Sequence, residues 1–159
     1  MFLDAIFPTP IWGFDLHLDL DSIKFWCYEE MKKDTGRILS NVGGWQSNDY
    51  CEFDQTPLKE FTNYLIKESH NMSKDLGIPE GDRHIANLWI NINPKYSYNQ
   101  VHVHPEARLS GVFYVSARKN SGDICFTRSG GYALGTVAPI STRYSSCEWT
   151  YPPIENGLI

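Results

Sequence analysis

Long apolar runs are missing from this 159-residue sequence. No stretch approaches the roughly 20 consecutive apolar residues that a transmembrane helix needs, so the sequence predicts no membrane partner. The first eight residues, MFLDAIFP, contain neither a basic cluster nor a long apolar core, and a secretory signal peptide needs both. We therefore expect a cytoplasmic protein.

Basic side chains are also scarce. The 14 Lys and Arg against 19 Asp and Glu give a net charge of −5, which argues against nucleic-acid binding. Residues 1–80 carry 7 basic and 14 acidic side chains, whereas residues 81–159 carry 7 and 5. The mildly basic second half would suit an anionic small ligand, although an ordinary scatter of surface charge fits these counts equally well.

Cysteine is present, but not in pairs. The four cysteines stand far apart and form no CxxC motif: Cys27, Cys51, Cys125 and Cys147. This spacing does not indicate a zinc site, and without a secretion signal a disulfide framework is not expected. The sequence predicts reduced, buried thiols.

The composition that remains is typical of one folded domain. Hydrophobic residues make up 42% and aromatic residues 14% of the sequence, and 159 residues suffice to bury a core. Aromatic side chains suit the half-buried surface of a β-sheet. We expect a single domain over residues 1–159, with an N-terminal strand and supporting helices in 1–83 and a β-core in 84–159.

The first half predicts one extended segment and two helices. Residues 5–16 should be extended, because Pro8 and Pro10 exclude a helix and favour an edge strand. Ser22 is the expected cap of a helix from Ile23 to about Asp34.

Thr56 should cap a second helix, with Pro57 as its first residue and Gly77 as its end. Five apolar side chains at helical spacing should form its buried face: Leu58, Phe61, Leu65, Met72 and Leu76.

The second half predicts several short strands. Alternating or β-favouring residues occupy 86–93, 98–104, 109–117, 124–127 and 142–150, with a hairpin-like turn at 119–123. Strands at such close spacing indicate a sandwich, a barrel or a jelly roll.

Two of the five histidines, His102 and His104, stand at the end of the predicted strand 98–104. Positions i and i+2 of a strand point to the same face, so both imidazoles could reach one metal ion. Imidazole suits Fe, Zn, Cu and Ni, and the pair does not choose among them. The competing interpretation is two polar residues on a solvated strand face. No histidine follows His104, so a third histidine ligand must come from upstream or from outside this sequence.

Several short motifs resemble one known family by their order. They are FPTPIW at 7–12, GGWQS at 43–47, NINPK at 91–95, YNQVHVHP at 98–105, LSGVFYV at 109–115 and NSGDICF at 120–126. The series resembles the 2-oxoglutarate/Fe(II)-dependent oxygenase family of phages and marine bacteria, which is related to the prolyl 4-hydroxylases. The likeness extends over nearly the whole sequence.

The resemblance implies a mainly β fold, a double-stranded β-helix (jelly roll) with flanking helices. It implies Fe(II), 2-oxoglutarate as cosubstrate, and O₂, with decarboxylation of 2-oxoglutarate coupled to hydroxylation of a small molecule or a protein side chain. It also implies a cytoplasmic location, in the host cytoplasm if the gene belongs to a phage. Carried onto this sequence, it makes His102 and His104 metal ligands, and no further catalytic residue is predicted.

Four other residues are candidates for binding the cosubstrate. Asn99 would contribute to a polar pocket mouth, and the hydroxyls of Ser110 and Tyr114 could hold a carboxylate. Arg128 could pair with 2-oxoglutarate. The commoner explanation for each of the four is an ordinary strand or surface residue.

The sequence departs from the family pattern at two points. Position 104 is His where the usual triad has a carboxylate, and Glu106 is the nearest later acid. In the family, the segment resembling 151–159 leads into a strand with a distal His, followed by a basic residue; this sequence contains neither.

We therefore expect an Fe(II)/2-oxoglutarate-dependent dioxygenase or a truncated form of one, with little or no turnover by this chain alone. The alternatives are a non-catalytic metal- or ligand-binding module and a cupin-like metal enzyme. An incomplete jelly roll would expose an unpaired strand edge, so the chain should either form a homodimer or be poorly stable.

Overall fold

A computed structural model describes residues 9–118, 120–127, 148–154 and 157–158 of the chain. The predictions that involve Pro8, Arg128, Cys147 and the first part of the strand at 142–150 lie outside the described residues. The described residues form two helices and eight short strands, which is consistent with a β-rich fold. They form no closed barrel, and none of their helices is long and apolar enough to cross a membrane.

Helix α1 (Leu20–Met31) begins three residues before the predicted start. Its cap is Asp19 and not Ser22, because an Asp19 carboxylate oxygen accepts the Ser22 backbone N–H at 3.1 Å. The Ser22 hydroxyl donates to the other carboxylate oxygen at 2.6 Å. These hydrogen bonds from Ser22 lower the pKa of Asp19.

Helix α2 (Lys59–Asp75) lies close to its predicted position. Its N-cap is Leu58 and not Thr56, because the helix begins two residues after Pro57. The Thr56 hydroxyl accepts the Leu58 N–H at 3.2 Å just before the helix. Gly77 follows its last turn with φ +66°, a left-handed conformation that glycine adopts readily. Leu76 was wrongly predicted to be buried: it is 40% exposed because it lies beyond the helix end.

The eight strands pair two by two, and every pair is antiparallel: β1 (Phe14–Asp15) with β8 (Gly157–Leu158), β2 (Asn41–Val42) with β5 (Tyr98–Asn99), β3 (Trp45–Gln46) with β4 (Asn91–Ile92), and β6 (Ile124–Thr127) with β7 (Glu148–Tyr151). An isolated bridge between Tyr50 and Leu88 extends the contact between the chain segments of β3 and β4. Strand β6 has the predicted bounds.

Three predicted strands are much shorter than expected. Only residues 91–92 of 86–93 and residues 98–99 of 98–104 belong to strands, and 109–117 contains a single bridged residue, Phe113. After β5 the Gln100 carbonyl binds the His102 side chain, a local bond of the kind that competes with a strand ladder. Pro105 has no N–H to continue the ladder.

The described residues around position 119 confirm the predicted turn at 119–123. Asn120 and Gly122 have φ +68° and +89°, and the Ser121 N–H donates to the Arg118 carbonyl at 3.0 Å. The strand that follows the turn, β6, pairs with β7 and not with 109–117, so the turn does not close a hairpin with that segment.

The core lies where both helices pack against the β3–β4 region. Six buried side chains form its centre: Leu16, Ile23, Cys27, Leu58, Phe61 and Ile90. Phe61 stacks on Phe113, with ring centroids 4.5 Å apart, and thereby joins α2 to the segment after the histidine pair.

Cys27 is the one described cysteine that fits the prediction of buried thiols. Burial raises its pKa to about 11. Cys51 and Cys125 are free but exposed, so the prediction of burial was wrong for both. Cys125 occupies an exposed position in the alternating burial pattern of β6, and Cys51 lies outside the strands.

Candidate functional site

The His102 and His104 rings lie edge to face, with centroids 4.9 Å apart and an interplanar angle of 67°. The two residues follow β5 and do not belong to a strand. Both nevertheless line one open groove of about 480 Å³. The structure therefore brings the two imidazoles together, although not by the strand geometry that the i, i+2 spacing predicts.

His102 is held by the backbone just before it. Its Nδ1 lies 2.7 Å from the Gln100 carbonyl oxygen. Because a carbonyl only accepts, Nδ1 carries the proton and donates, and Nε2 keeps a free lone pair. This tautomer is the form in which a histidine binds a metal, with the second nitrogen fixed by an acceptor.

His104 is held differently. It stacks on the Trp89 indole, with ring centroids 5.3 Å apart and planes inclined by 20°. Partial burial and then the neighbouring His102 lower the pKa of His104, which favours the neutral imidazole that metals bind.

Trp89 comes from the segment before β4. Its neighbour Leu88 exchanges backbone hydrogen bonds with Tyr50, at 2.8 and 3.1 Å. Its other neighbour, Ile90, receives a bond from the Ser47 N–H at 3.0 Å and donates to the Ser47 hydroxyl at 2.9 Å. Leu88 and Ile90 pack in the core, whereas Asn87 and Trp89 line the groove. Alternation therefore directs the indole away from the core.

The sequence contained a signal for Trp89 that its analysis missed. In the alternating stretch 86–93, Leu88, Ile90 and Ile92 share one phase, and the other phase holds three asparagines and Trp89. A large aromatic residue on an otherwise polar strand face indicates that something packs on it.

An ion pair belongs to the same groove. Arg37 Nη2 donates to Asp49 Oδ1, and both side chains line the groove with the histidines. The hydrogen bond from Arg37 holds the pKa of Asp49 below its usual range, so the Asp49 side chain is a carboxylate at neutral pH. Neither residue stands out in the sequence, because each is an isolated charge in a polar loop.

Gly36 allows Arg37 to take this position. Its φ is +71°, and a Cβ at this position would lie 2.5 Å from the Trp45 Nε1. The chain turns there after α1, and the Arg37 N–H then donates to the Gln46 carbonyl at 2.8 Å. A side chain at position 36 would therefore disturb one wall of the groove.

The described residues offer an Fe(II) ion two ligands and not three. Among them, no group of three His, Cys, Asp or Glu side chains is arranged to hold a metal ion. Asp49 is paired with Arg37, and Glu106 is exposed with φ +70° and does not line the groove. The two imidazoles, which line one groove, fit two positions of a metal site.

The three described candidates for binding the cosubstrate, Asn99, Ser110 and Tyr114, are not part of the groove lining. Asn99 accepts from Asn93 Nδ2 at 2.9 Å and donates to the Ser40 hydroxyl at 3.3 Å. Ser110 is exposed, and Tyr114 is half-buried, with its pKa raised by burial and by Asp123. Arg128 lies outside the described residues.

Residues 87–159, a little under half of the chain, match the family model described as "Putative 2OG-Fe(II) oxygenase". The match supports the resemblance derived from the motifs between 91 and 126, and it includes Trp89, His102 and His104. The motifs at 7–12 and 43–47 lie outside the matched residues. No curated protein and no solved structure matches the chain at a significant level.

Proposed function

We propose that the chain is an Fe(II)/2-oxoglutarate-dependent dioxygenase domain, or a part of one, that hydroxylates a small molecule or a protein side chain. One observation carries the proposal: the residues that match the oxygenase family model contain the histidine pair whose rings share one groove. The narrower likeness to prolyl 4-hydroxylases and to the phage and marine members of the family is part of the same proposal.

His102 would bind the iron through Nε2, and His104 would be the second ligand. Bound Fe(II) with 2-oxoglutarate and O₂ supplies the oxidising chemistry of the hydroxylation. Among the described residues, Arg37 is the one Lys or Arg side chain on the groove lining. Its described side-chain contact uses Nη2 and its Nε is buried, so Nη1 remains to donate to a carboxylate. It thus replaces Arg128 as our first candidate for the basic partner of 2-oxoglutarate.

The proposal also covers organisation and surroundings. We propose that residues 1–159 act as one jelly-roll-type domain in the cytoplasm, that of the host if the gene belongs to a phage. Its partners would be its substrate and a second copy of the chain, without nucleic acid or membrane.

An anaerobic Fe(II) titration tests the metal site. We expect weak binding by the wild-type chain, because two imidazoles leave most of the coordination sphere to water, and loss of that binding in His102→Ala. His70→Ala is the matched control, since His70 is exposed on α2 and does not line this groove. Equal binding by the wild type and His102→Ala would show that the pair is not the site.

Succinate release under O₂ with Fe(II) tests the reaction. We expect little turnover by residues 1–159 alone, and His102-dependent turnover once a C-terminal segment with a distal His and an Arg is added. Orientation of bound reactants supplies much of an enzymatic rate, and two ligands do not fix the iron. Robust turnover by residues 1–159 alone would contradict the need for a third histidine.

A non-catalytic metal- or ligand-binding module is the second candidate function. It is favoured by the absence of a third ligand among the described residues. His102-dependent metal binding without succinate release from the extended protein would select this function.

A further inference from the structure

We infer that Trp89 is a positioning residue for the metal pair: its indole face fixes the His104 imidazole in the orientation that binds the ion. The inference rests on the metal role proposed above and adds a residue from outside the HxH motif. It follows from a difference between the two histidines.

The histidines differ in what holds the ring. His102 donates Nδ1–H to a carbonyl, the usual way in which a protein orients a metal-binding imidazole. His104 has no such bond: in the part of the chain that the structure describes, neither of its ring nitrogens has a hydrogen-bond partner. Its ring stacks on the Trp89 indole, with centroids 5.3 Å apart, and contacts the His102 ring, with centroids 4.9 Å apart.

Stacking can do what the missing hydrogen bond would do. A ring laid flat on an indole cannot tilt out of plane without losing contact area, whereas both nitrogens stay at its edge and remain open to a ligand. Such aromatic contacts stabilise an arrangement of rings beyond what burial alone contributes. Holding the ring before the ion arrives removes part of the rotamer entropy that binding would otherwise cost.

The indole itself is well anchored. The residues on both sides of Trp89 are tied to Tyr50 and Ser47 by four hydrogen bonds of 2.8–3.1 Å, and Ile90 is buried in the core. Residues 100–104, in contrast, are largely exposed. Trp89 therefore links the exposed segment 100–104 to the hydrogen-bonded core through its contact with His104.

Co(II) titration of the purified chain tests the inference, with the thermal unfolding midpoint measured for each variant. We expect Trp89→Leu to weaken Co(II) binding about 10-fold or more, in the range found for partners that orient a metal ligand, and Trp89→Phe to stay within about 3-fold of the wild type. Both substitutions keep an apolar side chain against the same neighbours, but only Phe offers a ring face. Trp149→Leu is the control, an indole on β7 that does not line the groove.

The outcomes separate the two claims. Equal Co(II) binding by the wild type and His102→Ala refutes the proposed metal pair, and the role of Trp89 with it. His102-dependent binding that is equally strong in Trp89→Leu and Trp89→Phe refutes only the positioning role. Equal weakening in both variants also refutes it, because a general loss of packing would then explain the effect. A selective loss in Trp89→Leu at an unchanged unfolding midpoint supports it.

Discussion

The helical core and the segment that carries the histidines are held in place by different means. Leu16, Ile23, Phe61 and their neighbours are enclosed by two helices and the β3–β4 region. In the segment after β5, Val101 is 77% exposed and Val103 is 80% exposed. Two backbone hydrogen bonds hold this segment: the Gln100 N–H donates to the Ser40 carbonyl at 2.7 Å, and the Ala107 N–H donates to the His104 carbonyl at 3.3 Å.

This difference means that stability and the candidate site should respond to different substitutions. Core side chains contribute burial free energy, which is roughly proportional to the apolar area removed from water. Side chains of the site segment bury little apolar area, so they contribute little to stability, and their role is to orient the groups of the site. The predictions below are ordered by the expected change in the free energy of unfolding.

Phe61→Ala should produce the largest effect. Its side chain is 3% exposed and stacks on Phe113, and truncating a buried phenylalanine costs about 3–5 kcal/mol through lost burial and a cavity. Val103→Ala, in the site segment, should change stability by less than about 0.5 kcal/mol. Urea unfolding of both variants measures the contrast. Comparable losses in the two variants would mean that the site segment is packed as firmly as the core.

Cys27 should make the core sensitive to alkali. Its pKa is raised from 9.0 to about 11 by burial, so folding favours the neutral thiol. The resulting contribution is fully present below pH 9 and is lost as the pH rises from 9 towards 11. The free energy of unfolding should fall by about 2–3 kcal/mol in total, because each pKa unit corresponds to about 1.36 kcal/mol.

Urea unfolding at pH 7.5 and pH 10.5 measures this loss in the wild type, in Cys27→Ala and in Cys51→Ala. Any other group that titrates between these pH values is present in both proteins, so the difference between wild type and Cys27→Ala removes its contribution. Cys51 is exposed, so its variant should keep the wild-type pH dependence. An unchanged pH dependence in Cys27→Ala would show that this thiol is not the cause.

Asp49→Asn should produce the smallest effect. The Arg37 hydrogen bond lowers the pKa of Asp49, so the pair stabilises the fold above the ordinary Asp pKa of 3.8, and this contribution is lost as the pH falls through the lowered value. Both side chains are partly exposed, and solvent screening limits the contribution to about 0.5–1 kcal/mol.

Thermal unfolding at pH 7 and pH 3 compares Asp49→Asn with Asp54→Asn. Asp54 pairs with Lys59 at 3.4 Å but is 83% exposed in its side chain, so its variant should match the wild type at both pH values. Identical behaviour of the two variants would mean that the groove ion pair is no stronger than a solvated one.

The sequence predicted the features that depend on residues close together along the chain. Thr56 and Gly77 mark the two ends of α2 within two residues, and β6 has its predicted bounds. The order of the motifs between 91 and 126 indicated the family whose model matches residues 87–159. Two predictions failed because another hydrogen-bond partner competed with the local pattern. Asp19 replaced Ser22 as a cap because its carboxylate was free to accept, and the strand 98–104 stopped where a histidine side chain bound its backbone.

By itself, the sequence determined that His102 and His104 lie close together, because two residues of chain cannot separate them far in any conformation. Only the tertiary structure decided what surrounds them. Arg37, Asp49 and Trp89 are separated from the pair by 13 or more residues along the chain, and the pairing of β2 with β5 and of β3 with β4 brings their segments to one groove. Strand pairing joins residues that are distant in sequence, so it depends on the packing of the whole core and is not written in any short motif.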